Sequence, residues 1–522
     1  MTAQSLTGDA SPAQPKRSAH TRLLPLGLIL LLTTVVYVPT LRSYYCGYDD
    51  FSEAHRAADD LANPGRMFTT SHFNTAKYRP LNRVLTAFGY YLGNGSPVVF
   101  RIRNLAGHLV VVAAIYGIAL ALAESHPAAL AGALLFALHP LANQSVVGST
   151  WTNTAAYAMM FASFYFFIGS LERTSGRTGR LMLALLLALA ALFTYEATLV
   201  LFVLMVLYAG GRAFFGKRPW PGPIYILLCG GGILLICTSF FIARSLFAAG
   251  TTEVSSARMI FANLAVYIGA LLIPVDTLLA NSLFDFPLPS ELLSEPGLVT
   301  LIFIMGIGAG SIILFAVVNV VLFRLRSGRD LKIDWRILFF VLAICASLLP
   351  FLAFTEHASE TYLYPGAAFL CLLLAFMAER FLPVKGFRAA VAILAFLFGS
   401  ATFARNERVR ACGSMAVKVL AGLPLDQLRH GAWNVVLSPS PDEPIPLHYG
   451  IYSYSGIGTI DPGGAQSANS ALQMVTGNPE VTATVVFPRD MSAACAPPQN
   501  QCFWVHSDGL VEPYRRTPEV AR

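Results

Sequence analysis

Two adjacent carboxylates, Asp49 and Asp50, open a polar stretch in a chain that otherwise runs apolar for long intervals, and Glu53 and His55 follow at once. Lys77, Arg79, Arg101 and Arg103 come next. Ionisable residues then stand apart from one another: His139, Glu196, Arg244, and the group Glu356, His357 and Glu360. Acids of this kind move protons, guanidiniums hold anions bidentately, and an imidazole does either task. Ionisable side chains in or beside apolar helices are costly, so each is a functional candidate. Each also has a structural alternative. Asp50-Phe51-Ser52-Glu53 fits a capping box, with Asp50 as N-cap and Glu53 at N3 of a helix running to about Leu61. That assignment leaves Asp49 without a structural duty and makes it the better catalytic candidate. His139-Pro140 is equally a polar helix terminus. Of Arg79, Arg103 and Arg244, one is expected only to anchor at the lipid interface. Glu196, in Phe193-Thr194-Tyr195-Glu196-Ala197 between two apolar runs, is harder to explain in that way.

The elements that must position these residues are membrane helices. Charged residues are 12% of the 522 and hydrophobic ones 55%, with a mean hydropathy of +0.59. A water-soluble fold has too little interior for that much apolar side chain. Runs long enough to cross a bilayer lie near 22–40, 104–124, 127–143, 151–171, 180–197, 198–211, 223–243, 297–323, 335–354, 364–380 and 387–404, roughly eleven spans. The first resembles a signal sequence, with Lys16, Arg17 and Arg22 before it. It is long for one, and Pro39-Thr40-Leu41-Arg42 is no small-residue cleavage site, so it reads as an uncleaved span.

The net charge of +7 comes from short basic clusters between apolar runs, a topology signal rather than a nucleic-acid footprint. With the N-terminus cytoplasmic, the clusters Arg173/Arg177/Arg180, Arg212/Lys217/Arg218, Arg324/Arg326/Arg329/Lys332/Arg336 and Arg380/Lys385/Arg388 all fall inside, and the C-terminus falls outside. Residues 258–275 would upset this count if they crossed, so they read as an interfacial or re-entrant helix ending at Pro274. The candidates for chemistry then gather at the outer ends of the spans.

The chain divides into a polar, disordered N-terminus (1–21), a transmembrane domain (22–404) with a long first outside loop (41–103), and an extracytoplasmic tail (405–522). The tail is rich in Pro, Gly and Ser and holds strand-like pieces such as Trp433–Leu437 and Thr482–Phe487, which read as a small α/β or β-rich domain. Cys495 and Cys502 lie in it, and the oxidising outside favours a local disulfide, with two free thiols as the alternative. There is no internal repeat and no CxxC, HExxH, Walker or GxGxxG motif.

Several stretches together resemble the GT-C membrane glycosyltransferases, nearest to the protein O-mannosyltransferase branch. Tyr48-Asp49-Asp50-Phe51, then Lys77-Tyr78-Arg79-Pro80-Leu81, then Phe100 to Asn104 with His108, look like that family's first loop and second helix. Leu135-Phe136-Ala137-Leu138-His139-Pro140 resembles its "LLFAxHP" segment, Thr194-Tyr195-Glu196 stands where its "SKE" is found, and Glu360-Thr361-Tyr362-Leu363-Tyr364-Pro365 looks like its "ERYLYLP". The likeness covers residue 22 to about 410. Departures are Gln144 where the family has Glu, Thr152 and Thr154 near its Arg and Asp, and a tail without the TPR period.

The resemblance implies transfer of a sugar from a polyprenyl-phosphate carrier to an acceptor on the extracytoplasmic side of a bacterial inner or plasma membrane. A hydroxyl acceptor then needs a carboxylate base, for which Asp49 is expected, with Asp50 beside it. A lipid-phosphate leaving group needs cationic donors in a partly desolvated place, for which Arg79, Arg103 and Arg244 are expected, with His139 assisting. Glu196 and Glu360 are expected to orient acceptor, sugar or arginines. No cofactor is required by this chemistry. A divalent metal on the two adjacent acids, as in some oligosaccharyltransferases of the superfamily, is the less favoured alternative. The expected partners are the lipid-linked donor, membrane lipids and a protein, lipid or glycan acceptor, with no nucleic acid. Competing readings are a polysaccharide polymerase or ligase, a lipid or sugar transporter, and a scaffold with a degenerate site. Transport predicts charges near the bilayer midplane in two related halves, which this charge distribution does not match.

Overall fold

In a computed structural model, the described residues are 19–45, 49–71, 77–215, 223–248, 257–272, 334–352, 360–441, 465–506 and 509–515. The N-terminal segment, the expected span at 297–323, Pro274, Glu356 and His357 lie outside them, apart from residues 19–21 of the N-terminal segment.

The first span is α1 (Ala19–Tyr37), prolonged by a tight 3-10 turn over Val38–Arg42. The described residues of the loop expected outside form three helices: α2 (Asp50–Ala62), α3 (Arg66–Thr69) and α4 (Pro80–Gly93). Pro80 is the first helical residue of α4, where its missing N–H costs nothing. The helix stops at Asn94, whose φ of 45° is a left-handed conformation asparagine tolerates better than most residues. Then come α5 (Val98–Ala123), α6 (His126–Ala137), α7 (Asn143–Val147), α8 (Asn153–Glu172), α9 (Arg177–Thr194), α10 (Val200–Phe215), α11 (Pro223–Phe247) and α12 (Ala257–Leu272). Three long helices follow, over Trp335–Leu352, Tyr364–Phe381 and Val384–Gly422.

Nine helices among the described residues are long and apolar enough to cross a membrane, and a tenth if α6 and the segment Pro140–Val147 form one bent span. The bend there is 54°. It falls at Leu138-His139-Pro140, because Pro140 cannot donate to the helix and forces the residue before it out of helical geometry. Residues 127–143 are therefore not the unbroken helix their apolarity suggests. The described part of α12 is the 16 residues Ala257–Leu272. Asn263 on it donates to the Leu352 carbonyl at 3.1 Å, so it packs against the helix Trp335–Leu352.

Helix α5 begins six residues before the expected start at 104, so Arg101 and Arg103 lie on its first turns and not in the loop. Arg101 is buried there because protein carbonyls take its charge: Nη1 donates to Val147 O at 2.7 Å and Nη2 to Tyr44 O at 2.8 Å. The last long helix also differs from expectation. It does not end near 404 but continues to Gly422, 39 residues in all. That is roughly 58 Å at the α-helical rise, against about 30 Å of hydrocarbon, so it extends well past one bilayer core.

The C-terminal segment is an α/β unit with strand order β2-β1-β3-β4. Strand β1 (Asn434–Pro439) runs parallel to β2 (Thr482–Val485), pairing Val435 with Ala483, and parallel to β3 (Asn500–Val505), pairing Leu437 with Phe503. Strand β4 (Val511–Pro513) closes the edge antiparallel to β3. The helix Ala465–Thr476 precedes β2, as a parallel crossover requires. A disulfide joins Cys495 to Cys502, tying the short helix before β3 to the strand, with the two Cα atoms 6.1 Å apart.

One hydrophobic core unites this unit with the outside loop. Tyr45, Phe51 and Ala54 from the loop and Phe100 from α5 are buried with Val419 and Leu420 of the last long helix, Leu437 of β1, and Ala468, Ala471 and Leu472 of the covering helix. The helix Ala465–Thr476 lies directly against α2. The C-terminal unit therefore holds the loop's first helix in place. Leu472→Ala is expected to cost about 2–5 kcal/mol, the usual range for a buried leucine truncation. Because the lost contacts are shared, hydrogen exchange should accelerate in Asp50–Ala62 as well as in the C-terminal unit; unchanged protection of α2 would contradict a common core.

Candidate active site

The polar residues meet where α2 begins. Asp49, not Asp50, occupies the capping position: its carbonyl accepts from the Glu53 N–H at 2.9 Å, while its side chain makes no capping bond. The capping box expected for Asp50 is thus displaced by one residue. Asp50 stands in the first helical turn and is fully buried, and its Oδ1 accepts from both the backbone N–H and the hydroxyl of Thr150, each at 3.1 Å. It pins the loop to the segment between α7 and α8.

Arg103 grips the same segment from the other side. Its Nη2 donates to the carbonyl of Trp151 at 2.9 Å and more weakly to those of Thr150 and Ser149, and its Nη1 reaches Leu85 O at 3.3 Å. The guanidinium is spent on four carbonyls and serves the scaffold. Nearby, Arg56 donates to Glu53, and Asn82 donates to the Thr152 hydroxyl at 2.6 Å. Asp60 and Arg83 form a further buried pair within the loop.

Asp49 is left at the edge of this network, only partly buried. Lys77 and Arg79 act on its charge from one side and Glu53 and Asp50 from the other. Burial, followed by repulsion from Glu53 and Asp50, pushes its carboxyl up from the ordinary value to about 6, and the two cations offset only part of that.

Arg79 is the residue just before Pro80, outside the helix α4 that it precedes. Its Nε donates to Glu196 Oε2 at 2.6 Å and its Nη2 donates to Oε1, a bidentate pair between residues 117 apart in sequence. The guanidinium carbon lies 4.7 Å over the Tyr195 ring. Burial works against the charge on Arg79, yet the Glu196 carboxylate outweighs it and holds the guanidinium above its usual value. Glu196 can reach because α9 stops at Thr194. Tyr195 is extended (φ −155°), and Glu196 starts a 3-10 turn that leads into α10.

The remaining candidates are spread more widely. His139 is 1% exposed; its Nδ1 accepts from the Leu141 N–H at 3.2 Å and its ring rests on Phe398 at 4.5 Å. It caps the turn after the break at Pro140, which is the polar-terminus alternative. Glu360 is completely buried and pairs with Arg405, at 2.7 Å to Nη1 and 3.0 Å to Nη2. Arg244 stands on the last turn of α11, three residues before Phe247. The Phe247 ring stacks on Tyr78 at 5.4 Å, which brings that end of α11 beside the Lys77–Arg79 stretch. Among the described residues, no three His, Cys, Asp or Glu side chains converge as a metal site would need.

Arg405 is the partner of Glu360 that reading by motif missed. It also donates to the Pro140 carbonyl at 2.6 Å, and Asn406 beside it accepts from Asn143 at 2.7 Å and donates to Val36 O at 2.7 Å. The signal was weak: an Arg-Asn pair just after the apolar run, where Glu407, Arg408 and Arg410 follow at once. Gln144, the departure from the family's Glu, also has a structural duty, since its Oε1 accepts from the Thr361 N–H at 3.0 Å.

No protein-family model matches the chain, and no curated protein matches it. Among solved structures, the Archaeoglobus fulgidus oligosaccharyltransferase in the apo form is similar with a TM-score of 0.46 and 12% identity, over 80% of this chain and 62% of that one. The chain thus spans less than two thirds of the archaeal protein's length. ArnT from Cupriavidus metallidurans is similar in the apo state with a TM-score of 0.42 and 16% identity, over 94% of each chain. In the form bound to undecaprenyl phosphate its TM-score is 0.38, at 15% identity and the same coverage. Values this low do not bear on individual residues, whose roles rest on geometry alone.

The Glu360–Arg405 pair offers a clean energetic test. Removing one partner of a buried pair leaves an uncompensated charge and costs about 3–5 kcal/mol, whereas an apolar replacement of both is far milder. Thermal unfolding in detergent should therefore rank Glu360→Leu as less stable than Glu360→Leu/Arg405→Leu. The reverse order would mean that the two charges do not compensate each other.

Proposed function

We propose that the chain is a membrane glycosyltransferase of the GT-C kind, moving a sugar from a polyprenyl-phosphate carrier to an acceptor hydroxyl on the outer side of the membrane. The observation that carries this reading is the partly accessible Asp49 carboxyl, tuned to about 6 and flanked by Lys77 and by an Arg79 locked on Glu196. A base whose proton affinity lies just below neutral is ionised at working pH yet still takes a proton readily. A guanidinium held by a carboxylate beside it is preorganised for an anion.

In this mechanism Asp49 removes the acceptor's hydroxyl proton as that oxygen forms a bond to the anomeric carbon. The bond from that carbon to the carrier's phosphate oxygen breaks, and its electron pair stays on the phosphate. Arg79 holds that phosphate before and during transfer, Lys77 receives the charge that develops on it, and Arg244 joins them from the outer end of α11. Glu196 orients Arg79. Asp50, Arg103, His139 and Glu360 act as scaffold, since their polar atoms are engaged by the protein itself.

The sidedness follows from the basic clusters. Arg212 pairs with Glu172 at 2.8 Å, which links the ends of α10 and α8, and Arg380 pairs with Asp334 at 2.6 Å, which links the end of the helix Tyr364–Phe381 to the start of the helix Trp335–Leu352. These ends carry the internal Arg and Lys residues, so they are assigned to the cytoplasm, with the N-terminus inside and the C-terminal unit outside.

The test is transfer from a synthetic polyprenyl-phosphate sugar in proteoliposomes. Asp49→Asn should lower turnover about 10²–10⁴-fold, the usual contribution of a positioned base. In the wild type, turnover should rise with pH through about 6 and then level off, because the protonated carboxyl below that value cannot accept a proton. Unchanged turnover in Asp49→Asn removes Asp49 as the base.

A further inference from the structure

The turn Glu360–Leu363 is held more tightly than a link between two helices requires. Glu360 is clamped by Arg405. Thr361 takes part in four more hydrogen bonds: its N–H donates to Gln144 at 3.0 Å and its hydroxyl meets Ser145 at 2.6 Å. Asn153 donates to that hydroxyl at 3.1 Å, and the Tyr157 hydroxyl donates to the Thr361 carbonyl at 3.3 Å. Next along, Tyr362 stacks flat on Phe351 at 4.4 Å. The network covers neighbouring groups of the turn and fixes its position from several sides.

Tyr157 is the member of this set that also faces the candidate site. It is completely buried one turn into α8, and its ring lies flat on Tyr364, with centroids 5.0 Å apart and an interplanar angle of 7°. The same ring meets Tyr195 edge-on at 5.9 Å, and Tyr195 is the ring over which the Arg79 guanidinium lies. Arg79 and Glu196 both act electrostatically on the Tyr157 hydroxyl. A continuous line of contacts therefore runs from Arg405 through Glu360, Thr361, Tyr157 and Tyr195 to Arg79.

We propose that Tyr157 is a positioning residue for Arg79, anchored on the 360–363 turn and acting through the Tyr195 ring. Glu196 fixes the guanidinium in its plane by two parallel hydrogen bonds. It does not fix the height of the guanidinium, which the Tyr195 face beneath it sets. That face keeps its tilt only while the edge of Tyr157 braces it, and the Thr361 carbonyl holds Tyr157 against rotation. This rests on reading Arg79 as the group that holds the donor's phosphate, and it accounts for a buried polar chain that the chemistry of Asp49 does not use.

Tyr157→Phe keeps the ring and removes the hydroxyl that bonds to the Thr361 carbonyl. It should leave the melting temperature within about 2 °C of wild type, because one hydrogen bond shifts a chain of this size only slightly. The KM for a synthetic polyprenyl-phosphate sugar should rise about fivefold, in keeping with one lost hydrogen bond, while kcat stays within about twofold. Such a split marks lost binding of the donor, which a merely structural role would not produce. An unchanged KM overturns the proposal.

Arg79→Lys supplies the cycle. If Tyr157 acts through Arg79, the double variant should show the KM of Arg79→Lys alone; effects that multiply overturn the proposal. The same four proteins compared by thermal unfolding decide the coupling without any turnover, with additive losses again counting against it. Should Asp49→Asn prove harmless while the thermal losses are non-additive, the transfer reading falls and the Tyr157–Arg79 coupling stands.

Discussion

The arrangement depends on the ion pair between Arg79 and Glu196. Two charges largely cut off from water are tolerable only as a pair with good geometry. The two belong to different parts of the chain, one to the outside loop and the other to the junction between α9 and α10. Satisfying them brings the loop against the helical bundle in one register. Asp50 on Thr150 and Arg103 on the carbonyls of 149–151 tighten the same seam from within. Asp49 is the acid this network leaves at its edge, and its raised proton affinity follows first from burial and then from repulsion by Glu53 and Asp50.

The C-terminal unit has to be understood together with that seam. Its covering helix and its strands share one core with Tyr45, Phe51 and Ala54, so the apolar face of α2 is buried by residues more than 360 positions later. An amphipathic helix of this length is not stable alone in water, and most of its stability comes from packing its apolar face. The last long helix contributes by running past the bilayer to Gly422 and placing Val419, Leu420 and Leu423 in that core. The tail is thus part of the platform that carries the acids.

Several candidates changed meaning once their partners were visible. His139, Glu360 and Arg103 were singled out because ionisable groups in apolar surroundings are costly, and that cost is real. In each case the protein meets it internally: with a turn N–H, with Arg405, and with four carbonyls. Residue type and sidedness alone cannot distinguish a charge spent on the scaffold from one offered to a ligand. Arg405 was passed over for the complementary reason. It stood where the sequence turns less apolar, beyond the expected end of the last span, while the helix itself simply continued.

Among the described residues, hydropathy and charge were enough to find nine of the eleven expected spans; the one at 127–143 is broken at His139-Pro140, and the one at 297–323 lies outside those residues. They worked because lipid imposes a length and a polarity on each segment separately, which is a local rule. The strand-like pieces and turn residues of the tail likewise announced a small α/β or β-rich unit, which is α/β, and its two cysteines the Cys495–Cys502 disulfide. What only the tertiary structure decided was pairing: Asp50 with Thr150, Arg79 with Glu196, Glu360 with Arg405, and α2 with a helix near the far end of the chain. Those choices depend on which groups meet across hundreds of residues in a low-dielectric interior. No window along the sequence contains both partners.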